Sequence, residues 1–201
     1  MNYSIFSKNK GFTLTELLVV IGIATVLMTA IIFKQNGWND QLSVNTQAYE
    51  MVLSIRQAQI YSLGVREYTA GTGDKFNLGY GIYLDEDNLN QYVFFADKDG
   101  DQKYDIGEAV ETKTFTRGVT INRFCGLNPG LQERCSPDAG NVYTLHLSFL
   151  RPEPKANIVL LNNGGNMSAS INPPAIIYLR SVGGKESRIL VELSGQISIT
   201  Q

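Results

Sequence analysis

The pattern of apolar and polar positions changes character along the chain. From 17 to 33 (LLVVIGIATVLMTAIIF) it is apolar and free of charge, and it reaches back to Phe12 if one acid, Glu16, is included. About 20 helical residues cross a hydrocarbon core, so residues 12–33 predict a membrane-spanning helix. The run is too long for the apolar core of an ordinary secretory signal, and no small-residue cleavage site follows it. Lys8 and Lys10 precede it, whereas Lys34 stands alone after it and Asp40 follows. The basic flank belongs on the cytoplasmic side, which predicts that the long C-terminal part faces outward.

Asn36-Gly37 interrupts the helical pattern, and Asp40 offers a cap for a restart. Beyond it Leu42, Ala48, Tyr49, Met51, Val52, Ile55, Ala58 and Ser62 recur at steps of three and four, with Gln47, Glu50, Ser54, Gln57 and Tyr61 opposite. This predicts an amphipathic helix over 36–64, stopped at Gly64, with its apolar stripe against a core. After Gly64 the period becomes two. Strands are predicted over 80–84, 91–96, 110–116, 119–124, 143–150, 155–161, 175–181, 187–194 and 196–200. Gly183-Gly184 reads as a hairpin turn, Gly195 as another, and Pro152, Pro154, Pro173 and Pro174 as marks of linkers or edge strands. The fold class is α+β: a long N-terminal helix, membrane-spanning in its first half, packed on an antiparallel, sandwich-like head over 65–201.

Composition narrows this picture. At 43% apolar and 18% charged residues the chain can bury a core, and 201 residues allow one domain with an appendage. The net charge of −2 is unevenly laid out: residues 38–116 carry 13 acids against 6 bases, residues 117–201 carry 5 against 8. Neither half is charged enough to mark a nucleic-acid binder. Two cysteines and one histidine exclude most Cys/His metal sites and any redox CxxC motif. His146 falls on the polar phase of strand 143–150 and is expected to face solvent or a neighbouring sheet. Gly71-Thr72-Gly73 reads as a loop with no phosphate-binding motif after it, and no nucleophile elbow is present. An enzyme is therefore not expected.

Residues 97–108, DKDGDQKYDIGE, place five carboxylates in 12 positions. Asp97, Asp99, Asp101, Asp105 and Glu108 match positions 1, 3, 5, 9 and 12 of a calcium loop, with the Lys103 carbonyl at position 7. Calcium prefers six to eight hard oxygens, which such spacing converges on one point. Two departures stand: Gln102 holds the position that wants glycine, and the flanks read as strands. A Ca²⁺ loop and a plain acidic hairpin turn are both left open, since Asp and Gly dominate turns. Cys125 and Cys135 bracket nine residues that include Asn128-Pro129-Gly130. An exported head implies a disulfide there, and a reducing setting two free thiols.

Lys10-Gly11-Phe12-Thr13-Leu14-Thr15-Glu16-Leu17-Leu18 resembles the processing motif of type IV prepilins and type II secretion pseudopilins: a short basic leader, a Gly, then Phe-Thr-Leu-x-Glu and an apolar helix. The resemblance implies a leader over 1–11, cut after Gly11 by a prepilin peptidase that methylates the new amine of Phe12. It leaves a transmembrane helix over 12–35. It also implies that Glu16 of one subunit neutralises the amine of its neighbour, since two buried charges are tolerable only as a pair. Left alone, Glu16 is simply an interfacial acid that stays wet. Phe33 stands where many family members carry a helix-bending Pro.

Ser54-Ile55-Arg56-Gln57-Ala58-Gln59, Gly79-Tyr80-Gly81-Ile82-Tyr83 and Tyr92-Val93-Phe94-Phe95-Ala96-Asp97 resemble segments of the H-type minor pseudopilins. The implied partners are the prepilin peptidase, other pilin or pseudopilin subunits, an assembly platform and membrane lipid. The implied place is the inner membrane, single-pass, with the head in a periplasmic or extracellular filament. The alternative is a pilus-tip module capturing extracellular DNA or a surface. Arg180, Lys185 and Arg188 cluster near the C-terminus, but residues 195–201 have no base, so nucleic acid is not expected as a partner.

Overall fold

The computed structural model describes residues 11–64, 78–137, 142–168 and 171–200, with the side chains of 33–38 set aside. The leader residues 1–10 and the Gly71-Thr72-Gly73 loop lie outside the described residues. The chain divides into two compact units, Met1–Asn39 and Asp40–Gln201.

The first unit is helical from Leu14, where α1 (Leu14–Leu63) begins. Its span Leu14–Ile32 is long and apolar enough to cross a membrane, and its side chains are exposed throughout. α1 passes through Asn36-Gly37 without ending. The predicted interruption is therefore absent, and Asp40 is an internal residue whose carbonyl accepts from Ser43 Oγ at 2.8 Å. One glycine costs a helix only about 1 kcal/mol against Ala, too little to force an end. α1 stops at Leu63, where the Gly64 N–H still reaches the Ile60 carbonyl at 2.9 Å.

The second unit holds the rest of α1 and ten strands. One sheet, A, has the order β3-β2-β1-β6-β7, and the other, B, the order β10-β9-β8-β4-β5, with every pairing antiparallel. In chain order these are β1 (Gly79–Asp85), β2 (Gln91–Asp97), β3 (Ala109–Thr114), β4 (Thr120–Leu127), β5 (Glu133–Cys135), β6 (Thr144–Leu150), β7 (Glu153–Leu161), β8 (Asn172–Arg180), β9 (Glu186–Val191) and β10 (Ile197–Thr200). All nine predicted strands are present, and β5 is added to them. Pro173 and Pro174 lie inside β8, an interior strand. They fit because the β8–β9 ladder starts only at Ala175, while the β4 ladder jumps from Ile176 to Asn172, so neither proline owes a ladder hydrogen bond.

One core joins α1 to both sheets. Val44, Ala48, Met51, Val52, Ile55 and Ala58 of the helix meet the buried phases of β1 (Tyr80, Ile82, Leu84), β6 (Leu145, Leu147, Phe149), β8 and β9. Tyr61 packs edge-on against Tyr80 and Phe94, with ring centroids 5.5 and 5.9 Å away. Gly81 sits where β1 is pressed from two sides: a Cβ there would lie 2.4 Å from the Leu147 carbonyl and 2.6 Å from the Phe95 ring.

The helical stripe is buried as expected at Ala48, Met51, Val52, Ile55, Ala58 and Ser62 and differs at four positions. Leu42 and Tyr49 are exposed, whereas Gln47 and Ser54 are buried. The reason is polar pairing. Gln47 Oε1 accepts the Thr116 N–H at 3.0 Å, and Ser54 Oγ meets Tyr92 OH at 2.9 Å and Lys113 Nζ at 3.1 Å. Buried polar atoms with partners cost little, so these two side chains take the inner face.

Candidate functional site

Two places carry the chemistry: the start of α1 and the loop over 97–108. At the first, Gly11, Phe12 and Thr13 precede the helix. Thr13 Oγ1 accepts the Glu16 N–H at 3.2 Å. Glu16 Oε2 in turn accepts the Thr13 N–H at 3.1 Å and the Thr13 hydroxyl at 2.8 Å. This reciprocal arrangement is a capping box, which satisfies donors that a helix N-terminus otherwise leaves open. Glu16 therefore has a local role beside the one expected for it, and Thr13, not singled out from the sequence, is its partner. The spacing Thr-x-x-Glu was the available signal.

The 97–108 loop connects β2 to β3 and folds back over the outer face of sheet A. Three anchors hold it. Tyr104 N–H donates to His146 Nδ1 at 2.9 Å, Ser148 Oγ donates to the Gln102 carbonyl at 2.9 Å, and Tyr104 packs on Tyr83 with centroids 4.6 Å apart. His146 is thus buried under the loop rather than turned to solvent. Since Nδ1 accepts, Nε2 carries the proton and donates to Thr144 Oγ1 at 3.2 Å. Burial, with Lys103 nearby, pulls its pKa from 6.5 down to about 4.

Within the loop each acid has a distinct place. Asp97 is buried, and its two oxygens accept the N–H groups of Gly100 at 2.7 Å and Gln102 at 2.9 Å. Burial pushes its carboxyl pKa up, against those two bonds, which favour the charged form. Glu108 is also buried and accepts from Lys98 N–H at 2.6 Å and Asp105 N–H at 3.0 Å. Asp99 accepts from Asp101 N–H at 3.2 Å, and Asp101 from Lys103 N–H at 2.8 Å.

The carboxylate oxygens fall into two groups that share Asp99: Asp97, Asp99 and Glu108, and Asp99, Asp101 and Asp105. Oxygens lie within 4.8 Å of one another in each, a spacing that a cation with ligand bonds of about 2.4 Å bridges. Gln102 has φ of 66°, so the chain takes the left-handed turn that a calcium loop makes at this position without the glycine. Two features oppose a cation. Lys103 Nζ pairs with Asp101 at 3.2 Å, and Lys98 Nζ donates to the Gly107 carbonyl inside the loop. The donor set is hard oxygen throughout, which fits calcium and not a soft metal.

Cys125 and Cys135 are joined by a disulfide and face each other in the β4–β5 register. Of the C-terminal bases, Arg188 is tied to Glu133 at 3.6 Å, leaving Arg180 and Lys185 exposed.

The prokaryotic N-terminal methylation motif matches residues 6–32, the prepilin-type signature. No curated protein and no solved structure matches the chain.

Proposed function

We propose that this prepilin-type chain is a structural subunit, of the minor class, of a type IV pilus or a type II secretion-like filament. The observation that carries this reading is continuity. The methylation motif at 6–32 runs without a gap into an apolar helix, Leu14–Ile32, whose every side chain is exposed and awaits lipid or neighbouring helices. The N-terminus lies in the cytoplasm and the head outside it, as the basic flank directs. A prepilin peptidase cuts between Gly11 and Phe12 and methylates Phe12. Glu16 then meets the Phe12 amine of a neighbouring subunit, the pairing that makes a carboxylate tolerable among packed helices. The chain performs no catalysis in this reading. The 97–108 loop holds a calcium ion that stiffens the head, supported by the hard-oxygen donor set and the left-handed Gln102.

Intact mass of the chain from membranes of a peptidase-proficient host tests processing. The expected product starts at N-methylated Phe12, and Gly11→Val remains uncut yet inserted. Wild-type chain that keeps Met1 in that host would overturn the reading.

A further inference from the structure

We infer that the head is self-complementary: the basic β8–β9 turn of one copy seats in an acidic, aromatic-walled cleft on sheet A of the next.

The cleft is about 370 Å³ and is lined by Tyr83, Asp85, Gln91, Tyr104, Ile106 and Thr112, among others. Asp85 lines it, and Asp87, Asp99, Asp101, Asp105 and Glu111 are exposed on the same stretch of chain, while Asp97 and Glu108 are buried. At its lip Ile106 is 100% exposed. A lone exposed isoleucine needs no explanation on most surfaces. Here it stands at the rim of an aromatic cleft, on the most acidic loop of the chain. The cleft therefore offers an apolar contact ringed by negative charge.

The β8–β9 turn presents the complement. Val182 is 80% exposed at its tip. Arg180 and Lys185 flank it, both exposed, and neither makes an ion pair among the described residues. Arg117 is brought alongside because Gly118 lies directly against Val182, where a Cβ would come within 2.4 Å of Val182 Cγ2. The Asp40 carboxylate also lies against Gly183 of the turn, so three cations outnumber one acid there. A short aliphatic tip on a net-positive turn thus matches an aliphatic lip among carboxylates. Asp85 and the tyrosine faces are partners for guanidinium and ammonium groups.

The cleft belongs to sheet A and the turn to sheet B, so the contact joins unlike patches. Such a heterologous contact does not close as a two-fold dimer, and it runs on only where copies of this chain adjoin. It stands on the charge and shape of the head alone and does not require the leader to be cut.

Full-length chains in membranes test it, with Ile106→Cys and Val182→Cys carried on differently tagged copies and mild oxidation as the probe. The native cysteines are already paired. The expected product is the mixed disulfide between the two tagged chains, and a ladder of multimers from the doubly substituted chain. Arg180→Glu with Lys185→Glu should reduce the mixed product by about tenfold, because charges at an interface rim steer encounter. Absence of the mixed product from folded, inserted chains would overturn the inference. So would like-with-like disulfides in equal yield, or a yield indifferent to the charge reversal. The same crosslink is expected in a host without the peptidase, so failure of processing and failure of this contact read out separately.

Discussion

Glu16 accepts two hydrogen bonds from Thr13 within its own chain, and this separates two contributions of one side chain. Glutamine also completes a capping box, whereas valine cannot. Glu16→Gln should therefore keep the helix start and lose assembly, and Glu16→Val should lose both, with membrane insertion unchanged in each. Filament incorporation measures the first, and helix content in detergent the second. A Gln variant that assembles like wild type would assign the acid to capping alone. His146 gives a pH dependence. Its pKa falls from 6.5 to about 4 on folding, so the unfolded chain takes up its proton first as the medium is acidified. The stability it contributes is present above 6.5 and is lost as pH falls toward 4. Asp97 acts in the opposite sense, because a raised carboxyl pKa favours the folded head at low pH. His146→Gln, whose amide oxygen can still accept from Tyr104, should lose less melting temperature between pH 7 and pH 5 than wild type. Equal losses would remove His146 as the cause. Gly81→Ala should destabilise by roughly 1–3 kcal/mol in a denaturant titration, as overpacking does. His146 also marks a limit of the sequence. Alternation placed it correctly on the polar phase of β6, but nothing in the chain's periodicity says that a loop from β2–β3 covers that face.

At the scale of elements, the strands were legible because β-periodicity is local: alternation in 143–150 needs only its own residues. β5 was not, since Glu133-Arg134-Cys135 is three polar-leaning residues that pair only through β4 and the disulfide. The helix was legible in its buried face, with Ala48, Met51, Val52, Ile55, Ala58 and Ser62 inside as expected, and misread at its break and at the borders of the stripe. Leu42 and Tyr49 have core-like identities but lie outside, while Gln47 and Ser54 enter because partners on the β3–β4 connection and β2 wait for them. Within the expected stripe, truncating a buried member should cost more than truncating an exposed one. Met51→Ala should destabilise by about 2–5 kcal/mol, as buried large-to-small changes do, and Leu42→Ala by less than about 0.5 kcal/mol. Equal costs in urea unfolding would contradict the helix placement. The acidic loop was legible as donors and not as a cage, because two groups sharing Asp99 replace the single convergence that the spacing suggested. With a calcium ion in this loop as proposed, the head should melt higher in millimolar calcium than in chelator. The gain is about 2.7 kcal/mol at a hundredfold excess over the dissociation constant. Asp97→Ala with Asp101→Ala should erase that difference, and identical curves for wild type would leave an acidic turn.

For the whole molecule, the uneven charge read from composition becomes a separation in space, with acids over sheet A and exposed bases on the turn of sheet B. The disulfide ties one border of sheet B shut. Removing it with Cys125→Ser and Cys135→Ser should cost roughly 2–3 kcal/mol, the range for a short closed loop. Its larger consequence concerns aggregation. A sheet edge with free N–H and C=O groups is a template for any passing strand, and natural proteins blunt such edges. β5 is three residues long and covalently fastened to β4, β7 has Pro154 as its second residue, and β3 shows Glu111 to solvent with Lys113 half-buried beside it. Three of the four borders are thereby denied to strand-by-strand growth, so a head waiting in a crowded membrane does not zip onto its neighbours. Reduction would unfasten β5 and return the β4 border to circulation, turning a storage form into a seed for disordered β-aggregates.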